Sequence, residues 1–330
     1  MGKALITGGA GFIGAWLARR LLADGFRVDV LDDLSRGVSD DLIADLDQNP
    51  AFSMRTADLC APRSLDAIGK DYTHVFHFAA RIGVKNVLKR PYAVLRDNIA
   101  MLEAVLDLAS RQGHLERFFF PSTSEVYAGT QRHFELPIPS PETTPLAVSP
   151  LEHPRTSYML SKIYGEALCQ HSGLPFTIIR PHNFYGPRMG LAHVIPQLLQ
   201  RIHQADDGDE LVVYSVEHRR TFCFIDDAVE YVLRLVHSPD AASGTFNVGV
   251  QSPEMTMGDL ARMLMSVVGR EVTVVPGETT PGSPPRRCPD MTRTISATEY
   301  TPVVSHEDGV RRTYEWYRDR VFEGAGISAR

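Results

Sequence analysis

Only four cysteines occur in the 330 residues, Cys60, Cys169, Cys223 and Cys288, and no two of them form a Cys-x-x-Cys spacing. This excludes a disulfide scaffold and a thiolate metal cluster, so the expectation is reduced thiols in a cytoplasmic protein with no metal site. No apolar run approaches the roughly 18 residues of a membrane-spanning helix. The first apolar stretch is punctuated by Gly8, Gly9, Gly11 and Gly14, which a signal peptide would not carry. Ile6 stands where a myristoylation motif starting at Gly2 needs Ser or Thr. Basic runs are missing as well. Lys+Arg number 34 against 40 Asp+Glu, a net charge of −6, which argues against a nucleic-acid or acidic-membrane partner. There is no internal repeat and no low-complexity tract, so solenoids and disordered arrays are excluded. What remains is globular composition, 43% hydrophobic and 22% charged, with 25 Gly and 22 Pro. The length exceeds what one core usually holds and predicts a large domain with a smaller lobe.

The first half alternates short apolar runs with helical patterns. Lys3–Thr7, Arg27–Leu31, Thr73–Phe78 and Arg117–Phe120 read as strands, Phe12–Ala23 and Tyr92–Gln112 as helices. A helix over Tyr158–His171 and a strand over Phe176–Arg180 continue the rhythm. Such alternation means crossover connections and an α/β fold with a parallel sheet buried on both faces. After about Pro187 the rhythm changes. Helices are expected over Val194–Ile202, Asp226–Leu235, Met257–Val268 and Asp308–Tyr317, strands over Leu211–Tyr214 and Thr245–Val248. The proline-rich stretch Pro276–Pro289 reads as extended loop. The expected division is a sheet domain over 1–180 and a lobe drawn mainly from 181–330, with some exchange of chain and a cleft between them.

Thr7-Gly8-Gly9-Ala10-Gly11-Phe12-Ile13-Gly14 follows a strand and opens a helix. Gly8 permits the tight turn, Gly11 lets the backbone approach a pyrophosphate, and Gly14 lets helix and sheet pack closely. The helix start around Phe12 and Ile13 offers free N–H groups to the anion. A second strand ends at Asp32, whose carboxylate can accept from both ribose hydroxyls of NAD and repels a 2′-phosphate. Arg36, just beyond, is the counter-argument, a cation that could hold that phosphate instead.

Tyr158 and Lys162 stand four apart on a helix and share a face. A phenol with pKa near ~10 is a poor base at neutral pH, and an ammonium one turn away favours the phenolate. Such a spacing alone is common by chance. Downstream of the glycine turn, with Thr123 at the end of a strand, it reads as a catalytic pair.

These motifs together resemble the extended short-chain dehydrogenases/reductases of the nucleotide-sugar epimerase, dehydratase and decarboxylase group, over nearly the whole chain. The resemblance implies a Rossmann-type doubly wound sheet with a smaller C-terminal α/β substrate lobe, NAD as cofactor, and a homodimer formed through helices near 92–112 and 156–171. It implies that Asp58 and Leu59 meet adenine, that Ala79 in His77-Phe78-Ala79-Ala80 lies under the dinucleotide, and that Asn98 supports the site. Thr123 falls at the position whose hydroxyl holds the reacting oxygen. Glu125 matches a catalytic glutamate of dehydratases, and Thr-Ser-Glu also occurs in UDP-glucuronate decarboxylases and in GDP-mannose dehydratases. Ser124 stands where many dehydratases carry an aspartic acid.

In Arg180-Pro181-His182-Asn183-Phe184-Tyr185-Gly186-Pro187-Arg188, Asn183 and Arg188 take substrate-binding positions by the same resemblance, and Arg220 matches the diphosphate clamp. His182 replaces a residue more often aromatic or apolar. Arg287, followed by Cys288-Pro289-Asp290, resembles a decarboxylase segment that reaches the active site. The implied substrate is a nucleotide sugar, with uridine as the favoured base. A UDP-glucuronate decarboxylase-like reaction leads. A 4-epimerase, a 4,6-dehydratase and an NAD-sensing scaffold protein follow.

Overall fold

Seven apolar segments form one sheet in a computed structural model that describes residues 2–280 and 283–324. They are β1 (Lys3–Thr7), β2 (Arg27–Asp32), β3 (Phe52–Thr56), β4 (His74–His77), β5 (Arg117–Pro121), β6 (Phe176–Pro181) and β7 (Gly244–Val248). All neighbours run parallel, in the order β7-β6-β5-β4-β1-β2-β3. The sheet is the α/β, doubly wound arrangement expected. Its strand order reverses between β1 and β4, where a crevice opens beyond the carboxyl ends of the strands.

The strands read as apolar runs because both faces are covered. Along β1, Ala4 and Ile6 enter one core and Leu5 the other, as the two-residue period of a strand requires. The first core is shared with helix α1 (Phe12–Ala23), the second with helix α2 (Pro91–Ser110). Helix α3 (Pro154–His171) packs beside α2, and helix α4 (Ile225–His237) beside α1. Both α2 and α3 begin earlier than their apolar periodicity suggests. Pro91 and Pro154 occupy first-turn positions, where a missing N–H costs nothing.

Four features depart from the sequence reading. Strand β3 and the short helix Asp41–Asp47 before it were not expected. Only Phe52 of β3 is buried, so this edge strand carries almost no hydrophobic pattern. Strand β7 comes from the C-terminal half yet completes the main sheet beside β6. The stretch Pro276–Pro289 is not loop throughout. Pro276 ends a strand, Thr273–Pro276, paired with Glu210–Val213, and Arg286–Arg287 pairs with Arg219–Arg220. Proline is tolerated at such strand ends because no ladder donor is needed there. Pro281 and Gly282 of that stretch lie outside the described residues. No described helix is long and apolar enough to cross a membrane.

Candidate active site

The turn from β1 into α1 is shaped by its glycines. Gly8 has φ +72°, and a Cβ there would lie 2.5 Å from the Ala79 nitrogen. A Cβ on Gly14 would lie 2.4 Å from the Gly8 carbonyl oxygen and 2.7 Å from the Gly9 Cα. Gly11 is different: its only near neighbour is the Gly8 oxygen at 3.1 Å, and the residue lines a cavity of about 400 Å³. Gly8, Phe12, Ile13, Gly14, Leu59 and Ala79 line the same cavity. The unpaired first N–H groups of α1 meet it too.

Asp32 closes the adenosine end. Its Oδ2 accepts from Ala10 N at 3.0 Å and its Oδ1 from Leu34 N at 2.8 Å. Burial raises its pKa, and the two backbone donors oppose that shift. Each oxygen keeps a lone pair for a ribose hydroxyl, so the turn and the carboxylate together fit NAD. Two of the residues expected at the cofactor also hold the protein's own backbone. Asp58 caps its own turn, accepting from Cys60 N at 3.0 Å. The buried Asn98 accepts from Arg81 N at 2.7 Å and donates to Ser161 Oγ at 3.3 Å, tying the turn after β4 to α3.

At the far end, Thr123 follows β5 and caps the short helical turn Ser124–Tyr127, accepting from Glu125 N at 3.2 Å. Tyr158 and Lys162 face this turn from α3. The Lys162 ammonium donates to the Pro121 carbonyl at 2.7 Å and lies 5.9 Å from the Tyr158 ring centre. The Pro121 carbonyl thus fixes the ammonium near the Tyr158 ring, and a hydrogen bond to a neutral carbonyl leaves its positive charge in place to favour the phenolate. Burial pushes the Tyr158 phenol up, Glu125 adds to this, and Thr123 and Arg36 oppose it. Burial lowers Lys162 to about 8.

The lysine shift has a stability consequence. An unfolded lysine titrates at 10.5, so between about 8 and 10.5 the unfolded chain binds a proton that the folded one lacks. Stability rises with pH through that window, and below it the buried charge costs roughly 3 kcal/mol. Lys162→Met removes this cost but leaves the Pro121 carbonyl without its donor, worth about 1–3 kcal/mol. The variant is expected to match or exceed the parent in stability at pH 7 and to lose the rise between pH 8 and 10.5. Denaturant unfolding across that range checks it. An unchanged slope would show that the ammonium is not the source.

Glu125 and Arg287 meet across the cleft, Nη2 to Oε1 at 2.9 Å, with Arg287 Nη1 3.4 Å from Ser124 Oγ. Arg287 holds the Glu125 carboxyl below its usual range against burial, and Arg155 and Arg220 add to this. Arg287 stands in register with Arg220 on neighbouring parallel strands. Arg220 donates to the Pro284 carbonyl at 2.6 Å and to Ser283 Oγ at 3.0 Å, with no carboxylate partner among the described residues. Burial, then Arg287, lowers it to about 10. Arg220, beside the Glu125-paired Arg287, is therefore the cation left to meet an anion. Asn183, at φ +45°, lines the cavity while its Nδ2 donates to the Thr221 carbonyl at 2.9 Å.

Arg188 is a correction. Expected to bind substrate, it instead pairs with Asp40 at 2.6 Å, with both side chains buried. It also donates to the carbonyls of Ala10 (3.3 Å), Gly11 (3.3 Å) and Val38 (3.1 Å). Every guanidinium nitrogen is engaged, so its work is to fasten the segment after β6 to the glycine turn. His182 is buried, its Nε2 3.1 Å from Asn247 Oδ1, and burial lowers it to about 3. Asn247 Nδ2 already donates to two carbonyls, so its oxygen faces His182 and the imidazole is the neutral Nε2–H tautomer.

Sequence reasoning missed the part played by Arg155 near Glu125 and the cavity position of His193. Arg155 stands three residues before Tyr158, in the first turn of the same helix, and no local pattern signals the second. Among the described residues no group of three His, Cys, Asp or Glu side chains is placed to hold a metal.

A glycine turn on a parallel sheet, an acidic ribose anchor, and a Tyr–Lys pair beside a hydroxyl define a dinucleotide-dependent α/β enzyme. The chain belongs to the NAD dependent epimerase/dehydratase family, whose sequence profile matches residues 4–249. It is 30% identical to the UDP-N-acetyl-alpha-D-glucosaminuronate decarboxylase of Bacillus cytotoxicus, over 96% of this chain and 98% of that one. To UDP-glucuronic acid decarboxylase 1 of Arabidopsis thaliana it is 28% identical, over 98% of this chain and 72% of that protein. The crystal structure of UDP-glucose 4-epimerase from Thermotoga maritima, with UDP-glucose, superposes with TM-score 0.82 at 26% identity, covering 96% of this chain and 98% of that chain.

Proposed function

We propose that the protein decarboxylates a UDP-hexuronate through transient oxidation at C4. The observation that carries this reading is the Glu125–Arg287 pair beside Thr123 and Ser124. It puts a guanidinium at the sugar end of the cleft, where a neutral hexose offers hydroxyls but no charge to pair with it. A hexuronate brings a carboxylate. The relatives whose names state decarboxylation of UDP-glucuronate or its N-acetylglucosamine counterpart support the same reading.

In this mechanism NAD supplies the acceptor, and later the donor, of the C4 hydride. Tyr158 takes the proton of the C4 hydroxyl, and Thr123 holds that oxygen. The 4-keto sugar is a β-keto acid. Its C5–C6 bond breaks, carbon dioxide leaves, and the electron pair passes into the C4–C5 enolate, whose oxygen the Tyr158 and Thr123 hydroxyls stabilise. A water molecule held by the Glu125–Arg287 pair gives C5 a proton and restores the ketone, and its reduction takes the proton back from Tyr158. Glu125 and Arg287 orient the sugar and manage the C5 proton, while Asn183 and Arg220 hold the diphosphate. The lowered pKa of Glu125 bears on the alternatives. A carboxylate pinned by Arg287 is a weak base for removing a C5 proton, which elimination of water requires and decarboxylation does not. Ser124, in place of a carboxylic acid, is also a poor donor to a leaving hydroxyl.

We also read the chain as a cytoplasmic homodimer joined through α2 and α3, which expose Tyr92 and Tyr164. The test of the reaction is mass spectrometry of UDP-glucuronate and of UDP-N-acetylglucosaminuronate after incubation with the protein and NAD. The expected product is lighter by carbon dioxide. Unchanged mass with a new retention time would make the protein a 4-epimerase, and Glu125→Gln should then spare turnover. No change with either uronate would overturn the reading.

A further inference from the structure

One cation in the cofactor cleft has no task in the mechanism above. Arg36 sits on the loop after β2, and that loop is pinned on both sides of it. Asp33 Oδ1 accepts from Ser35 N at 2.9 Å and from Ser35 Oγ at 2.6 Å. Arg81 Nη1 reaches the same hydroxyl at 2.9 Å and Asp33 Oδ2 at 3.1 Å. On the other side, Gly37 packs so closely that a Cβ would lie 2.7 Å from Asp32 Oδ1 and 2.8 Å from the Ala10 Cβ. Val38 N then donates to the Ala10 carbonyl at 3.2 Å. Arg36 is thus projected from a fixed backbone.

Its half-buried guanidinium lines the cavity, with Nη1 3.9 Å from where a Cβ on Gly83 would stand. Four arginines line this cavity, Arg36, Arg81, Arg188 and Arg287. Three of them are held in ion pairs, with Asp33, Asp40 and Glu125. Arg36 has no hydrogen-bond or ion-pair partner among the described residues. A guanidinium that gives up water without gaining an acceptor is disfavoured unless an anion joins it. Burial accordingly lowers the Arg36 pKa.

The position of the charge selects among anions. The cavity runs from Asp32 at the ribose end to Thr123, Glu125 and Arg287 at the sugar end. Arg36 starts beside Asp32, and its Nη1 ends near Gly83, in the loop that follows β4 on the far side of the crevice. It therefore reaches away from the ribose 2′ edge, towards the reacting ring, across the stretch that a dinucleotide fills with its diphosphate bridge. We propose that Arg36 is a binding residue for that diphosphate, facing the anion across the cleft from the Gly11 turn. The alternative task, holding a 2′-phosphate, would require the guanidinium to stay at the ribose edge. The inference rests on the NAD site alone and stands whichever sugar is the substrate.

Calorimetry on the full chain, stripped of nucleotide, tests it with NAD, ADP-ribose, adenosine, NADP and UDP as probes. Arg36→Gln is expected to weaken NAD and ADP-ribose alike, on the order of ten- to a hundred-fold, the loss of one charge-assisted bond. Adenosine, which lacks the diphosphate, and UDP should change by less than about three-fold, since neither depends on that bond. Arg36→Lys, which keeps the charge, should regain most of the loss and shows that the change is not misfolding. An equal loss for adenosine would make Arg36 a scaffold residue and overturn the proposal. So would a loss confined to NADP, a loss confined to UDP, or no loss at all.

Discussion

Tyr158→Phe is expected to lower turnover by about 10³-fold or more while NAD still binds, the loss typical of removing a positioned general base. The phenol is the only group of the reacting set that can carry the C4 proton. Thr123 is a hydroxyl of ordinary acidity, and Lys162 is committed to the Pro121 carbonyl. Phenylalanine keeps the ring and its place against α3, so the cleft and the glycine turn should persist. Because burial and Glu125 hold the phenol protonated at neutral pH, ionisation must be helped by positive charge. The parent rate should therefore rise with pH as the phenolate becomes accessible, and the residual rate of the variant should not. Single-turnover assays across pH, paired with NAD calorimetry, check both halves. Retention of more than about a tenth of the turnover would remove Tyr158 from the role of base, since even the weakest general bases contribute more.

What could be read from the chain was whatever depends on neighbours in sequence. The glycine turn is local: a positive φ at Gly8 and a forbidden side chain at Gly14 are set within a few residues. The shared face of Tyr158 and Lys162 follows from one helical turn. What could not be read depends on distance. Arg188 carries a substrate-binding spacing, yet its carboxylate partner lies 148 residues away in Asp40, and no local pattern announces that pairing. Lys162 stands where the spacing demands, but the carbonyl that fixes its ammonium belongs to β5. Strand β3 stayed hidden because an edge strand with one buried residue has no period to detect. Arg36 was legible as a cation near the cofactor. The end of the cofactor it serves depends on a loop fixed from two sides by Arg81 and Asp32.

Arg180→Met should cost about 3–5 kcal/mol of stability, the loss expected when one member of a buried ion pair is removed. Arg180 and Glu166 have side chains 5% and 5% exposed and are joined twice, Nε to Oε1 at 2.9 Å and Nη2 to Oε2 at 2.7 Å. Without the guanidinium, Glu166 keeps, among the described residues, only the Ser122 hydroxyl, at 2.5 Å. A carboxylate so buried must then be desolvated without compensation, or take a proton. The effect should also reach catalysis. Arg180 Nη1 donates to the Tyr127 hydroxyl at 2.7 Å, and Tyr127 donates to Asn247 at 3.0 Å. Tyr127 ends the same short turn that presents Thr123, Ser124 and Glu125, so a loosened Tyr127 shifts the groups around the sugar. Denaturant unfolding measures the first effect and kcat at saturating NAD the second. A loss below about 1 kcal/mol would mean that the pair is solvated in solution, as exposed pairs are. The double variant Arg180→Met/Glu166→Met separates the two effects. Replacing both charges should restore much of the stability, because an apolar pair of similar volume avoids the desolvation cost. It should not restore kcat, because the Tyr127 hydroxyl still lacks the donor that fixed it.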